Sequence, residues 1–124
     1  MPSLLLVMAG GALGAGARYL FGIAAAGAFG LDFPWGTWGV NIIGGLLMGL
    51  LATVVPLSAN SESWRLFLAV GVLGGFTTFS AFSLELFNMF MRGEAALGAA
   101  YAVSSVAGSV VALWGGATLG RTLA

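Results

Sequence analysis

Apolar residues run along the chain in four long stretches, which short polar or proline-containing segments separate. The stretches cover about residues 3–29, 36–55, 64–91 and 95–120. About 20 apolar residues in a helix cross a bilayer core roughly 30 Å thick, so each stretch is long enough to span a membrane. Strands are excluded, because lipid does not tolerate an open sheet edge and four strands cannot close a barrel. The pattern predicts an all-α membrane protein with four transmembrane helices, in a single domain that covers residues 1–124.

The segments between the stretches set the expected helix ends. The first stretch is broken by Leu31-Asp32-Phe33-Pro34, and the second ends at Pro56. Residues 58–63 are the most hydrophilic part of the chain and are predicted to form a loop. The first stretch lacks a basic start and is much longer than the core of a signal peptide, so we expect it to remain as the first transmembrane helix.

The composition supports a membrane protein. Apolar residues make up 60% of the 124 residues, charged residues 6%, and the mean hydropathy is +1.05. Soluble domains carry about 25% charged residues, so an ordinary water-exposed surface is excluded. Intrinsic disorder is excluded as well, because it requires low hydrophobicity and high charge.

The ionisable residues are too few for most kinds of chemistry. The chain has four arginines and four acidic residues, and it has no Lys, His or Cys. Zinc sites favour His or Cys ligands, and the common activated nucleophiles need His, Cys or Lys. Nucleic-acid binding requires a basic face, which four scattered arginines do not form. The composition therefore predicts neither an enzyme nor a nucleic-acid-binding protein.

The arginines are divided evenly between the two sides of the predicted membrane. Arg65 and Arg121 belong to one side, whereas Arg92 and, within the first helix, Arg18 belong to the other. The positive-inside rule thus gives no preferred orientation. Two interpretations remain open: the protein has too few charges to decide, or it inserts in both orientations and pairs antiparallel.

The third stretch contains a segment that forms helix poorly. Residues 71–83 include three glycines, two adjacent threonines and two serines, and the middle of the stretch falls at Thr77 and Thr78. The sequence predicts a break near the bilayer centre, where unwound carbonyls form an oxygen cluster suited to a hard cation. The alternative is a continuous helix whose hydroxyls bond the carbonyls one turn earlier.

Two polar side chains lie within the first and second predicted helices. Arg18 is costly inside a span, so it either faces water or a partner or extends to the interface. Asn41 either links helices through hydrogen bonds or offers its amide N–H groups to a passing anion.

Two further groups are candidates for an ion path. Phe79 and Phe82 share a helix face, where they serve packing or present their electropositive edges to an anion. Tyr101, Ser105 and Ser109 are spaced four residues apart and form a hydroxyl stripe on an otherwise apolar helix. The serines alternatively act only as small packing residues.

Three motifs carry a resemblance to a known family. They are Gly-Gly-x-x-Gly-Ala-x-x-Arg-Tyr ending at Tyr19, Gly-Thr-x-x-Val-Asn-x-x-Gly ending at Gly44, and Gly-x-x-Gly-Gly-x-Thr-Thr-Phe-Ser-x-Phe ending at Phe82. In this combination and order, and over nearly the whole chain, the sequence resembles the CrcB/Fluc family of fluoride channels.

The resemblance implies an antiparallel, dual-topology homodimer with two pores in the plasma membrane of a prokaryote. Such a dimer exports fluoride passively and lowers its cytoplasmic concentration. It implies a structural Na⁺ at the dimer centre, held by main-chain oxygens of Gly74 and Thr77 from both subunits. Arg18 corresponds to a vestibule arginine. The residues expected in the pore are Asn41, Phe79, Ser80, Phe82, Tyr101, Ser105 and Ser109.

The chain departs from the family pattern at Ala81, where many members carry Thr. A hydroxyl expected beside the ion path is therefore missing. Three alternatives remain open: conduction is slower, Ser80 and Ser83 replace the hydroxyl, or a paralogous second chain supplies it in a heterodimer.

Two other functions compete with a fluoride channel. A small four-span drug/proton antiporter has a similar size, but it needs a carboxylate deep in a helix, and Glu85 is predicted near a helix end. A non-transporting membrane scaffold would use the glycines for packing alone, and it has no need of a weakened helix at mid-membrane.

Overall fold

The computed structural model describes residues 2–55 and 59–123, and the regular structure within these ranges is helical. The elements, in chain order, are α1 (Pro2–Phe29), α2 (Trp35–Val54), α3 (Ala59–Trp64), a π-helical segment (Arg65–Leu73), α4 (Gly74–Phe76), α5 (Ser80–Met91) and α6 (Ala95–Leu123).

Within the described residues, four helical spans are long and apolar enough to cross a membrane, as the hydropathy pattern predicts. They are Ser3–Phe29, Trp35–Val54, Glu62–Met91 and Ala95–Leu123. The third combines part of α3, the π-helical segment, α4 and α5. The protein is therefore a multi-pass, all-helical membrane protein.

Glycines with positive φ form two of the turns. Gly30 (φ 88°) follows α1, and its N–H donates to Ala26 O at 2.9 Å. Gly93 (φ 80°) lies between α5 and α6, and its N–H donates to Phe90 O at 3.1 Å. A residue without Cβ adopts this left-handed conformation at little cost, which is why glycine commonly ends a helix.

The segment expected to be a loop between the second and third spans is mostly helical, so that prediction is wrong for residues 59–63. Glu62 lies in the first turn of α3, where a carboxylate interacts favourably with the helix dipole. One turn later, Arg65 forms an ion pair with it, with Nη2 and Oε1 2.6 Å apart. Pro56 and Ser58, expected to end α2 and to begin the loop, lie outside the described residues.

The π-helical segment is a feature that the sequence does not predict. It packs against α1 through glycines, and a Cβ added to Gly71 would lie 2.9 Å from Gly10 Cα. At its end, the Gly74 N–H donates to Ala69 O, five residues earlier. The small residues of α1 thus allow the backbones of two helices to approach closely.

Helices α2 and α6 form the most extensive contact of the fold. A Cβ on Gly45 would lie 2.6 Å from Ser109 O, and a Cβ on Gly108 would lie 2.9 Å from Ile42 Cδ1. The close approach brings the hydroxyl-bearing face of α6 toward the face of α2 that carries Asn41.

A small aromatic core lies between α5 and α6. Phe82, Met89 and Tyr101 are buried there, and Phe33 and Trp38 pack against them. Large apolar residues elsewhere on α6, such as Val103 and Val111, are exposed, as expected for side chains that face lipid.

Candidate ion pathway

A groove of about 530 Å³ lies between α2, α6 and the end of α4. It brings together most of the residues that the sequence selects for a site. Of these, the groove is lined by Asn41, Gly74, Thr77, Phe79, Phe82, Ser105 and Ser109.

The third span leaves regular helix at residues 77–79, between α4 and α5. This segment is the interruption of the third span. Thr77 has an extended backbone (φ −84°, ψ 159°), and both its N–H and its Oγ1 donate to Leu73 O at 3.0 Å. The Ala81 N–H, in the first turn of α5, donates to Thr78 Oγ1 at 3.2 Å. The two threonines therefore satisfy part of the backbone that the interruption frees.

Asn41 binds the backbone of Thr78 with both ends of its amide. The Thr78 N–H donates to Asn41 Oδ1 at 2.9 Å, and Asn41 Nδ2 donates to Thr78 O at 3.0 Å. Because a peptide N–H can only donate, its partner is the amide oxygen, which fixes the orientation of the side chain. Asn41 thus links α2 to the interruption and has one amide N–H left for another acceptor.

Arg18 reaches the same region from α1. Its Nε–H donates to Gly75 O at 3.2 Å, and the side chain is half-buried. Gly75 is the second residue of α4, so its carbonyl is one of those that lose their helical partner where α4 ends. The guanidinium therefore has a protein acceptor within the span, and it does not simply extend to the membrane surface.

The carbonyl oxygens of Gly74 and Thr77 accept no hydrogen bond from the described part of the chain. Both residues line the groove. Neutral main-chain oxygens freed by an unwound helix are the ligands that Na⁺ takes in membrane proteins. The two residues therefore fit a cation such as Na⁺.

The two phenylalanines pack against each other at the groove in a tilted arrangement, with ring centroids 5.6 Å apart and planes at 41°. Phe79 is 75% exposed, whereas Phe82 is only 7% exposed. The buried ring continues into an aromatic chain: Phe82 lies 5.0 Å from Tyr101, whose ring lies 5.3 Å from Phe33. Packing thus holds the Phe82 ring in place.

Tyr101 is fully buried and is not among the residues that line the groove. Its hydroxyl donates to Glu85 Oε1 at 3.2 Å, so the carboxylate already occupies this donor. Of the three hydroxyls in the α6 stripe, the structure places those of Ser105 and Ser109 at the groove.

Ser105 has a buried hydroxyl without a partner. The residue is 4% exposed, and its Oγ makes no hydrogen bond to the described part of the chain. Its neighbour Ser104 differs, because it accepts from Trp38 Nε1 at 3.0 Å and donates to Tyr101 O at 3.3 Å. Buried hydroxyls are nearly always satisfied, so an unsatisfied one that lines a groove indicates a missing ligand or water.

The structure does not bring Ser80 to the groove. Its side chain is exposed, and it is not a lining residue. Ser83 is exposed too, and its hydroxyl donates to its own helix at Phe79 O (2.9 Å). Neither serine therefore supplies a hydroxyl to the lining of the groove within this chain.

Four of these contacts are not predictable from the sequence: Arg18 with Gly75, Trp38 with Ser104, Tyr101 with Glu85, and Asn41 with Thr78. The first two join residues 57 and 66 positions apart, and no local pattern identifies such partners. The exceptional cost of a charge in a span does single out Arg18, although it does not name its acceptor.

Comparison with known proteins assigns the family. The family described as "CrcB-like protein, Camphor Resistance (CrcB)" matches residues 5–117. Proteins named "Fluoride-specific ion channel FluC" are 51% identical in Caulobacter sp. (strain K31), over 99% of this chain and 98% of theirs, and 52% identical in Phenylobacterium zucineum (strain HLK1), over 98% and 97%. A protein of the same name from Sphingopyxis alaskensis is 50% identical over 99% and 98%. The chain therefore belongs to the CrcB family.

Proposed function

We propose that the protein is a fluoride-specific ion channel that releases fluoride passively across the plasma membrane of a prokaryote and lowers its cytoplasmic concentration. The names of its relatives, at about half identity over nearly the full length, support this function. Their class is an ion channel and not an enzyme.

The observation that carries the proposal is the unpartnered hydroxyl of Ser105. Fluoride is small and strongly hydrated, so a pore must offer hydrogen-bond donors in place of water. A buried hydroxyl without an acceptor meets this need, because its donor is free and already desolvated. Ser109 and the remaining amide N–H of Asn41 line the same groove and add donors along it.

The aromatic rings supply the narrow part of the proposed path. Ring edges carry positive charge, so Phe79 and Phe82 favour an anion where their edges face it. Phe82 is held by Tyr101, which gives the wall a fixed shape. Tyr101 contributes to the pore through this ring contact. A deep carboxylate, which a drug/proton antiporter requires, is not part of the groove lining.

A second copy of the chain, facing the first in the opposite orientation, would complete the pore. Phe79 is 75% exposed at the groove, so most of its ring is free to contact a second copy of the chain. Arg65 stands near the start of the third span and Arg92 just beyond its end, so positive charge is present on both sides. This distribution supports insertion in both orientations.

A structural Na⁺ at the dimer centre would bind the free carbonyls of Gly74 and Thr77 from each subunit. The cation would add positive charge beside the anion path, where it offsets the cost of dehydrating fluoride. It is proposed as a fixed part of the structure and not as a transported ion.

Paired variants on α6 test the function. Proteoliposomes containing the purified protein are loaded with fluoride, and release is followed with a fluoride electrode. Ser105→Ala removes the free hydroxyl, and we expect at least a tenfold loss of flux. Ser104→Ala is the matched control, since its hydroxyl is occupied by Trp38 and Tyr101, and its flux should stay within about twofold of wild type. Equal flux in wild type and Ser105→Ala would contradict the proposed path.

A further inference from the structure

The backbone groups freed between α4 and α5 fall into two sets. Gly75 and Thr78 have their peptide groups bound by side chains from other helices. Gly74 and Thr77 have carbonyls that no donor in the described chain occupies. The Phe76 carbonyl accepts no hydrogen bond from the described chain either, but Phe76 does not line the groove, whereas Gly74 and Thr77 do.

Close packing at two glycines places the Gly75 and Thr78 peptide groups within hydrogen-bond distance of Arg18 and Asn41. A Cβ on Gly75 would lie 2.6 Å from Gly11 O, so α4 lies directly against α1, one to two turns before Arg18. A Cβ on Gly44 would overlap the Thr77 side chain, so α2 is equally close, one turn after Asn41. The contacts of Arg18 and Asn41 with the interruption are thus part of close helix packing.

The charge of Arg18 does not explain its place beside a cation site. A positive guanidinium next to bound Na⁺ raises the energy of that cation, because like charges repel. What the side chain supplies is a hydrogen bond that occupies the Gly75 carbonyl and holds its peptide plane. A carbonyl so occupied no longer competes with its neighbour for a cation.

We infer that Arg18 and Asn41 are positioning residues for the cation site: they fix the Gly75 and Thr78 peptide groups so that the Gly74 and Thr77 carbonyls stay free. The inference rests on the Na⁺ site of the proposed function. It gives Arg18 a task that depends on its donor atom and not on its charge.

Substitutions of matched length separate donor from charge. In Arg18→Gln, the amide nitrogen is bonded to Cδ, as Nε is in arginine. The donor is therefore kept at the same distance from Cα, and the charge is lost. Arg18→Met has the same length and neither property. Asn41→Leu keeps the shape of the amide without its hydrogen bonds, and Asn88→Leu, on the exposed part of α5, is its control.

The first readout is thermal stability of the purified full-length protein in sodium chloride and in N-methyl-D-glucamine chloride. A ligand that binds only the folded state raises the melting midpoint. We expect wild type, Arg18→Gln and Asn88→Leu to keep the Na⁺-dependent rise. Arg18→Met and Asn41→Leu should need at least tenfold more Na⁺ for the same rise.

The opposite pattern overturns the inference. If Arg18→Gln loses the Na⁺ response, charge and not the donor is what matters. If Arg18→Met responds as wild type does, Arg18 does not position the site. Should Arg18→Met fail to fold, the Na⁺ response of Arg18→Gln alone decides whether the donor atom or the charge of Arg18 matters.

Amide hydrogen exchange separates failure of this inference from failure of the sodium proposal. If wild type shows no Na⁺-dependent rise, the sodium site is wrong, and exchange then decides the positioning role. The Thr78 amide, bound by Asn41, should exchange at least tenfold faster in Asn41→Leu than in Asn88→Leu, with or without Na⁺. Equal exchange in both variants would overturn the role of Asn41.

Discussion

The Phe82 ring packs on the Tyr101 ring with centroids 5.0 Å apart, while the Tyr101 hydroxyl binds Glu85. One turn further along α6, Ser105 presents an unpartnered hydroxyl beside the same groove that Phe82 lines. Tyr101 therefore supports the wall from behind, and Ser105 supplies a donor to it.

Phe82→Ile should reduce fluoride flux at least tenfold and leave the assembled protein intact. The branched side chain keeps apolar volume but loses the aromatic edge and the contact with Tyr101, with a stability cost of about 1–3 kcal/mol. The check is electrode-recorded efflux, together with size-exclusion chromatography of the same sample. Phe87→Ile on an exposed part of α5 serves as control, and its flux should match wild type. Unchanged flux in Phe82→Ile would remove the aromatic ring from the path.

Gly45→Ala should destabilise the protein by about 1–3 kcal/mol. The added methyl group would lie 2.6 Å from Ser109 O, so α2 and α6 must move apart. Gly16→Ala is the control, because nothing lies within 4 Å of its new Cβ. Alanine there should be neutral or stabilising by about 0.5–1 kcal/mol. Denaturation midpoints in detergent measure both effects, and equal midpoints would mean that the contact is looser than described.

Insertion in both orientations predicts labelling from both sides. The chain has no cysteine, so Ser63→Cys, at an exposed position of α3, introduces a single thiol. A membrane-impermeant maleimide should modify about half of it in sealed vesicles and the rest after permeabilisation. Complete labelling, or complete protection, before permeabilisation would show one fixed orientation.

A structural Na⁺ predicts flux without a sodium requirement during transport. Reversing or removing the Na⁺ gradient across proteoliposomes should change the initial fluoride efflux by less than about twofold, since a buried ion does not move with the anion. Steep dependence of the initial rate on the gradient would mean coupled transport. Efflux recorded within seconds of the buffer change separates acute dependence from slow loss of the bound ion.

Hydropathy predicts the four spans because lipid imposes a length and an apolar surface that leave a direct trace in sequence. Nothing in the sequence marks the π-helical segment, because residues of the same kinds form ordinary α-helix elsewhere. The polarity of α3 suggested a loop, but Glu62 and Arg65 form an ion pair that stabilises helix there. Side-chain partners are hidden for a different reason. Asn41 and Thr78 are 37 positions apart, and packing alone brings them together.

Helix geometry explains why Ser80 does not line the groove beside Phe82. Each residue turns an α-helix by about 100°, so two residues place Ser80 on the side opposite Phe82. Local polarity marks Ser80, Ser83 and Ser105 equally, but only Ser105 is both buried and unpartnered. The sequence thus identifies candidate donors, and the fold selects among them.

Anion-specific efflux distinguishes a fluoride channel from an unselective anion pore. Proteoliposomes containing the purified wild-type protein are loaded with both fluoride and chloride, and each ion is followed with its own electrode after valinomycin provides potassium as counterion. We expect rapid, passive fluoride release and negligible chloride release. Equal release of both anions, or no fluoride release from a well-folded protein, would contradict it.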